Sequence, residues 1–472
     1  MSEPPPLRRN FRFQMLWIGA ATSELGSTLT WLALPLLILA VTGSAALAGL
    51  VGACRIATNL LISLPAGVWA DRWDRRRIML VSEAVRCLSM AALAVVVFID
   101  RVELWHIVAV AVANGTADAF FRPARDTAIR TVVPAQQLSL AYAQEEARGH
   151  AASLAGPPLG GLLFGLGRVF PFVVDAITYL ISLVAVALAR VPRRSEDSAR
   201  SRKSGMRADI AEAGRWLWRR RGLRAALALS LIANLVANAL LLPVIVLVGD
   251  RGGDPTITGV VLAGMGLGGL LGATVSARVG ALLPPGRLIL AVVGLFALAV
   301  CAIALPLGPY WPVVPLFSAM VATPAANVVL RVLVATLVPE AMMGRMTSLI
   351  TVASMGLAPL GPLLGGVLAE YVGSAGALLL LGGGLAVCCA LAAVSPALHA
   401  LTGATAGSVP GGTDPAPGGT GPGQGGTNSG PVVADSGPGG AGTASDGGGP
   451  EPEGGSDPSC AVELGRETVG ER

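Results

Sequence analysis

Runs of about twenty or more apolar residues recur along the first four hundred positions, separated by short stretches rich in charge, glycine or proline. A helix rises about 1.5 Å per residue, so crossing a hydrocarbon core of ~30 Å takes about 20 residues. The pattern predicts twelve crossings, at residues 13–41, 44–69, 78–99, 103–122, 138–166, 170–190, 224–249, 256–281, 287–307, 311–336, 345–371 and 374–399. The runs do not alternate in polarity as barrel strands do, and lipid offers an open backbone no partners, so helices are expected. The first run opens on charged and aromatic residues without a small-residue cleavage site, and is read as a permanent helix rather than a signal peptide.

Composition agrees with this pattern. Hydrophobic residues make up 53% of the 472 and charged residues 13%, about half the charge density of a soluble domain. Mean hydropathy is +0.66. Residues 403–472 differ from the rest, with 22 Gly, 9 Pro and a net charge of −7. Such a segment buries too little apolar surface to offset its ordering entropy, so a disordered acidic tail is expected. The fold class is therefore all-α, a polytopic membrane protein of two six-helix bundles followed by that tail.

Basic residues orient the bundle. One set of loops carries Arg8, Arg9, Arg12, Arg72, Arg75, Arg76, Arg77, Arg125 and Arg130, and residues 191–223 add ten more cations. The opposite loops hold Arg101, Arg168 and Arg251. The positive-inside rule places both termini in the cytoplasm of a cell membrane. The expected organisation is a cytoplasmic N-terminus (1–12), a first bundle (13–190), a basic central loop (191–223), a second bundle (224–402) and the tail (403–472). Trp216 and Trp218 suggest a short helix at the membrane surface within the central loop.

Six spans on each side of that loop raise the question of an internal repeat. Thr131-Val-Val-Pro134 matches Thr336-Leu-Val-Pro339, and Gly156-Pro-Pro-Leu-Gly-Gly161 matches Gly361-Pro-Leu-Leu-Gly-Gly366, both at an offset of 205. The same shift carries Gly67 to Gly272 and sets Ser276 opposite Asp71. Two parallel halves are expected.

The segment after the second span reads Gly67-Val-Trp-Ala-Asp71-Arg72-Trp-Asp74-Arg75-Arg76-Arg77. It resembles the loop 2–3 signature of the major facilitator superfamily, with Asp74 where the general pattern has Gly. That departure, with Phe121-Arg122-Pro123-Ala124-Arg125, resembles the branch of macrolide efflux proteins and the enterobactin exporter. Gly156, Pro157, Gly160 and Gly161 resemble the antiporter motif of drug exporters, with Gly361, Pro362, Gly365 and Gly366 as the second-half counterpart. The resemblance implies a secondary transporter in which Gly67, Asp71, Arg72, Arg75, Arg76 and Arg77 latch the cytoplasmic side. Physically, glycines let helices approach closely, a carboxylate at the boundary can cap a helix and accept from Arg, and Pro157 permits a bend.

Charges inside the spans are costly unless paired or hydrated. Glu24 and Arg55 lie at similar depths on spans one and two and are expected to pair near the midplane. Glu83 and Arg86 sit i, i+3 on span three, as a structural pair. Asp118 and Arg122 on span four, with Arg125, Glu145, Glu146 and Arg148, form an expected inner-gate cluster. Asp175 and Tyr179, i, i+4 on span six, either touch substrate or serve a hydrogen bond. Glu24, Arg55, Asp118 and Asp175 are thus the coupling or substrate candidates. Asn234, Asn238, Asn327 and Arg331 are the polar positions of the poorer second half.

Other functions are tested by what the residues lack. The single lysine, Lys203, has no phosphate-loop glycine before it, and His106, His150 and His399 are scattered without zinc-site spacing. No enzyme activity, cofactor or metal is expected. The basic loop suits anionic lipid, not nucleic acid. The expected function is proton-driven export of a hydrophobic or amphipathic small molecule by a monomer. An importer of a nutrient or siderophore, and a non-transporting sensor or assembly protein, remain the alternatives.

Overall fold

In the computed structural model, the described residues are 6–70, 73–190, 206–338 and 340–394. The acidic tail, Asp71 and Arg72 lie outside them. The first half contains α1 (Phe11–Thr42), α2 (Ala45–Ala70), α3 (Arg75–Phe98), α4 (Leu104–Val132), α5 (Leu138–Leu166) and α6 (Phe170–Ala189). After α7 (Met206–Arg219), the second half contains α8 (Arg221–Ala239), α9 (Leu241–Asp250), α10 (Pro255–Leu282) and α11 (Pro285–Ile303). It ends with α12 (Val313–Leu337), α13 (Glu340–Leu357), α14 (Leu360–Val372) and α15 (Ser374–Val394).

Helix boundaries follow local chemistry. Asn10 starts α1 by accepting from the Phe13 amide at 3.2 Å, and Gly43 ends it at φ 68°, a left-handed turn open to glycine. Asp74 caps α3 at the Arg76 amide (2.9 Å), so this residue has a helix to start. Asp254 does the same for α10 at the Ile257 amide (2.8 Å).

Two predicted spans are broken helices. Pro243 lacks the N–H that would bond Ala239, four residues earlier, and the seventh span divides there into α8 and α9. Pro359 and Pro362 divide the eleventh into α13 and α14. Among the described residues, eleven segments are long and apolar enough to cross a membrane. The twelfth, α5, is 29 residues long, but its charged first half and its Gly-Pro run lower its hydropathy. Its packing against α1 and α10 places it in the bundle all the same.

Counting α8–α9 and α13–α14 as one crossing each, the described residues make twelve traverses, and both described ends lie on one side, here the terminal side. The central segment holds α7, which packs on α13 and α8. Trp216 lies against the second-half core, while Trp218 is 73% exposed.

The repeat is real but its register changes along the chain. A side chain at Gly161 would run into the backbone of Pro255 and Gly259, and one at Gly366 into that of Ala45 and Gly49. Gly49 therefore corresponds to Gly259, an offset of 210 rather than 205. The α3–α4 hairpin (75–132) has 58 residues and α11–α12 (285–337) has 53, which accounts for the later offset. The pairing of Gly67 with Gly272 is accordingly wrong, and Ala281 rather than Ser276 stands in register with Asp71. Gly272 instead faces the Met320 and Val321 carbonyls of α12.

Candidate functional site

A cavity of about 300 Å³ lies between the halves. Its first-half wall carries polar groups, Ser27, Thr30, Arg55 and Asp175 among them, set between apolar residues. At the offset of 210 their α1 and α2 positions become Ala237, Leu240 and Met265, all in the opposite wall. The hydrogen-bonding groups lie mostly on the first-half face, and the second-half face is apolar apart from Asn238. Trp31, 39% exposed, adds an aromatic surface.

A second chamber of about 260 Å³ adjoins it, with Ser27 and Arg55 in both linings. It runs among α1, α2, α3, α4 and α5 toward the terminal side, past Glu24, Asp118, Arg122, Arg125 and Arg148. Arg55 thus stands at the junction of an apolar void and a charged one.

Arg55 pairs with Asp118, not with Glu24: its Nη2 lies 3.2 Å from Asp118 Oδ2. The cause is Gly115, where α4 has no side chain and a Cβ would sit only 2.6 Å from the Arg55 carbonyl oxygen. That close approach brings Asp118, one turn further along α4, beside Arg55. Glu24 lines the chamber and makes no ion pair among the described residues.

Asp118 also accepts from Arg86, whose guanidinium lies 3.7 Å from Glu83. Four charges therefore form a chain, Arg55–Asp118–Arg86–Glu83, crossing α2, α4 and α3. Glu83 is fully buried and accepts from Ser182 at 3.0 Å and Ser23 at 3.4 Å. Arg86 sits over the rings of Phe121 (4.7 Å) and Tyr179 (5.6 Å). The local pair expected on span three is thus the inner end of a longer network. Its i, i+3 spacing was visible in the sequence; its link to Asp118 depends on how α3 packs on α4.

Asp175 is fully buried in the cavity wall and accepts from the Thr30 and Thr178 hydroxyls. Tyr179 shares a 3.0 Å hydrogen bond with Ser27. Both residues line the cavity and both are hydrogen-bonded.

The inner-gate charges divide. Glu145 joins Arg148 (2.8 Å) and Arg125 (3.5 Å), and Arg122 lines the same chamber. Glu146 turns away to His150 at 3.4 Å and is 80% exposed on its side chain. Of the loop 2–3 segment, Arg75 donates to Thr131 at 3.2 Å and Arg76 to the Ala187 carbonyl at 2.9 Å. Both contacts stay within the first half, and Arg77 is exposed.

The antiporter-type glycines lie where the halves meet. Gly156 and Gly160 face Thr28 and Leu29 of α1, while Gly161 faces α10 of the other half. Gly361 and Gly365 face α8, and Gly366 faces α2 of the first half. Pro157 and Pro362 direct their carbonyls at Gly259 and Gly49. One residue absent from the sequence reading joins this seam: Glu370 of α14 accepts from the Ala45 amide (2.7 Å) and the Ala46 amide (3.3 Å) of α2. A carboxylate near a helix end is an ordinary sequence feature, and its role as a cap on a distant helix has no local signal.

Residues 16–359 match the Major Facilitator Superfamily. This chain belongs to that family. It is a membrane transporter and not an enzyme. The multidrug efflux pump Tap of Mycolicibacterium fortuitum is 29% identical over 377 residues, 76% of this chain and 89% of that protein. Macrolide efflux protein A of Streptococcus pyogenes is 23% identical over 183 residues, 39% of this chain and 45% of that protein. In fold, the chain is similar to the nucleoside transporter NupG (TM-score 0.63, 14% identity), covering 83% of this chain and 98% of that one.

Proposed function

We propose that this chain exports a hydrophobic or amphipathic small molecule from the cell by alternating access, in exchange for protons. The observation that carries the reading is the continuity at Arg55, where the cavity between the halves meets the charged chamber. Substrate occupying the cavity competes for the space and the donors of Arg55. Release of Arg55 from Asp118 leaves that carboxylate more exposed to protons arriving through the chamber, and Glu83 behind Arg86 is the next acceptor. Glu24, on the chamber wall, is placed to hand protons on.

Names of the relatives favour export over import. The basic loops support a cytoplasmic side for the termini and the chamber, and Asp71, Arg72 and the following arginines are proposed as a latch between conformations. The tightly packed far ends of α5–α10 and α2–α14 suit a carrier closed to the outside in this state. Both walls of the cavity come from this one chain, which supports a monomer as the working unit.

The test is dye and antibiotic accumulation in cells with and without the protein. Export lowers accumulation, and a protonophore abolishes the difference. Asp118→Asn inserts normally but loses at least about tenfold of the proton-dependent rate, the scale of one misplaced charge-assisted hydrogen bond. Unchanged accumulation across a broad panel would count against export, and unchanged proton dependence in Asp118→Asn would remove the coupling assignment.

A further inference from the structure

The two far-side seams share a backbone plan, but their chemistry differs at one point. At the start of α2, the Leu47 amide donates to Ser44 Oγ at 3.2 Å. The Ala45 and Ala46 amides instead donate to Glu370 of α14, at 2.7 and 3.3 Å. A helix leaves its first amides without intrahelical acceptors, so α2 meets part of that need from the other half. The mirrored helix does not. At the offset of 210, Ser44 corresponds to Asp254, which caps its own α10 at the Ile257 amide (2.8 Å). Ala45 corresponds to Pro255, which has no N–H to give, and Ala46 to Thr256. At the offset of 205, Glu370 corresponds to Gly165, where an added Cβ would lie 2.9 Å from Thr256 Oγ1. Acceptor and main donor are thus present together in one seam and missing together from the other.

We propose that Glu370 is a proton-binding site that controls opening of the far side. As a carboxylate it clasps α2 to α14 and holds the far ends of the halves together; a proton taken from the far-side solution releases them. The inference goes beyond the export reading, since Glu370 lies outside the linings of the cavity and the chamber. An ionised carboxylate at a helix N-terminus gains from the helix dipole and from charge-assisted bonds to the amides. Protonation removes the charge and with it most of both gains. The contact exists only while the far ends touch, so the proton shifts the balance toward opening. Glu370 is exposed, within reach of that solution. The elements packed on α14 bring few other charges to it. On α2, Cys54 and Arg55 lie about 15 Å further along. On α8, Arg221 and Arg224 stand at the opposite end, and on α15, Cys388 and Cys389 lie beyond the midpoint. Asp250, at the end of α9, accepts from Ser374 at 2.6 Å. Tyr371, beside Glu370, is 80% exposed.

The experiment measures the far-side distance between the halves by double electron–electron resonance, on the full chain in lipid nanodiscs. Spin labels go on Ile99→Cys and Leu307→Cys, 56% and 60% exposed in far-side connections of the two halves, in a chain otherwise free of cysteine. Lowering the pH from about 7 to about 4 crosses the range in which carboxyl groups titrate. The ratio of open to closed distances is expected to rise about two- to fivefold, the scale of one charge at a helix end. Glu370→Gln, which keeps the shape and exposure of the side chain, is expected to show the raised ratio already at neutral pH and to lose that part of the response. Carboxyl groups elsewhere titrate alike in both chains, so the difference between them reads Glu370 alone. A parent chain whose ratio does not rise, or a Glu370→Gln chain that responds as the parent does, overturns the clasp. Either result leaves the export reading standing, because dye accumulation tests it separately.

Discussion

Replacing Gly161 by alanine tests whether the far ends of the halves close through a backbone-to-backbone seam. The new methyl group would collide with the Pro255 carbonyl oxygen and sit 3.1 Å from Gly259 Cα. Both neighbours are backbone, so no side-chain rotation relieves the contact. Carbon atoms pack best at about 3.5–4.0 Å, so α5 and α10 must part by roughly 1 Å. Overpacking of this kind costs about 1–3 kcal/mol. The cost falls on the state in which the far ends touch and vanishes when they separate. At about 1.4 kcal/mol per tenfold, the closed-to-open ratio falls roughly 5- to 100-fold. Ala48 lines the cavity and is 3% exposed, so a cysteine there, in a chain otherwise free of cysteine, reports opening. An impermeant maleimide added on the far side should label Ala48→Cys faster in Gly161→Ala. Gly366→Ala, whose methyl would meet Ala45 and Gly49 in the mirrored seam, should act in the same direction. Gly269→Ala is the control, because nothing lies within 4 Å of its added carbon. Equal labelling in Gly161→Ala and Gly269→Ala would refute the seam.

Two further expectations concern charges. Glu370→Gln keeps an acceptor near the Ala45 amide but loses the carboxylate that faces the α2 N-terminus, weakening the closed far side by about 0.5–1 kcal/mol; Glu370→Ala should cost about 1–2 kcal/mol. The same far-side labelling measures both, and the order wild type, Gln, Ala is the expected ranking. Arg86→Met leaves Glu83 and Asp118 facing each other without their shared cation, at a cost of about 3–5 kcal/mol. Thermal melting in detergent should show the loss, with partial recovery in the double variant Arg86→Met/Glu83→Gln.

The bundle was legible because the solvent of a membrane protein is written into composition: each crossing needs its own apolar run, and no tertiary information is required to find it. The proline positions Pro243 and Pro359 even mark where two crossings break. Pairing was less legible. Helical rise gives depth, and the predicted span 103–122 puts Asp118 near its end, whereas α4 runs on to Val132 and leaves Asp118 near its middle, level with Arg55. The partner of Arg55 then depends on which face of α2 meets α4, and Gly115 decides it by letting the backbones close up. The repeat register failed for a similar reason. Both matched motifs lie at or beyond the end of the shortened hairpin, so neither carries any information on the offset before it.

The corrected register also explains why the halves share a backbone plan without sharing chemistry. Gly49 and Gly259, Gly161 and Gly366, and Pro157 and Pro362 recur because two bodies rocking about one cavity need close contact on both flanks. A side chain at any of these glycines would block one flank and tilt the motion. Buried charge obeys the opposite logic. Each ionisable group within a span costs free energy unless paired, and one coupled network is enough to link a proton to a cavity. Duplicating Arg55, Asp118, Arg86 and Glu83 would double that cost without adding a route. Met265 and Leu240 at the positions of Arg55 and Thr30 are therefore what a single-network carrier should show. They leave the second half free to present the apolar surface against which a lipophilic substrate sheds water.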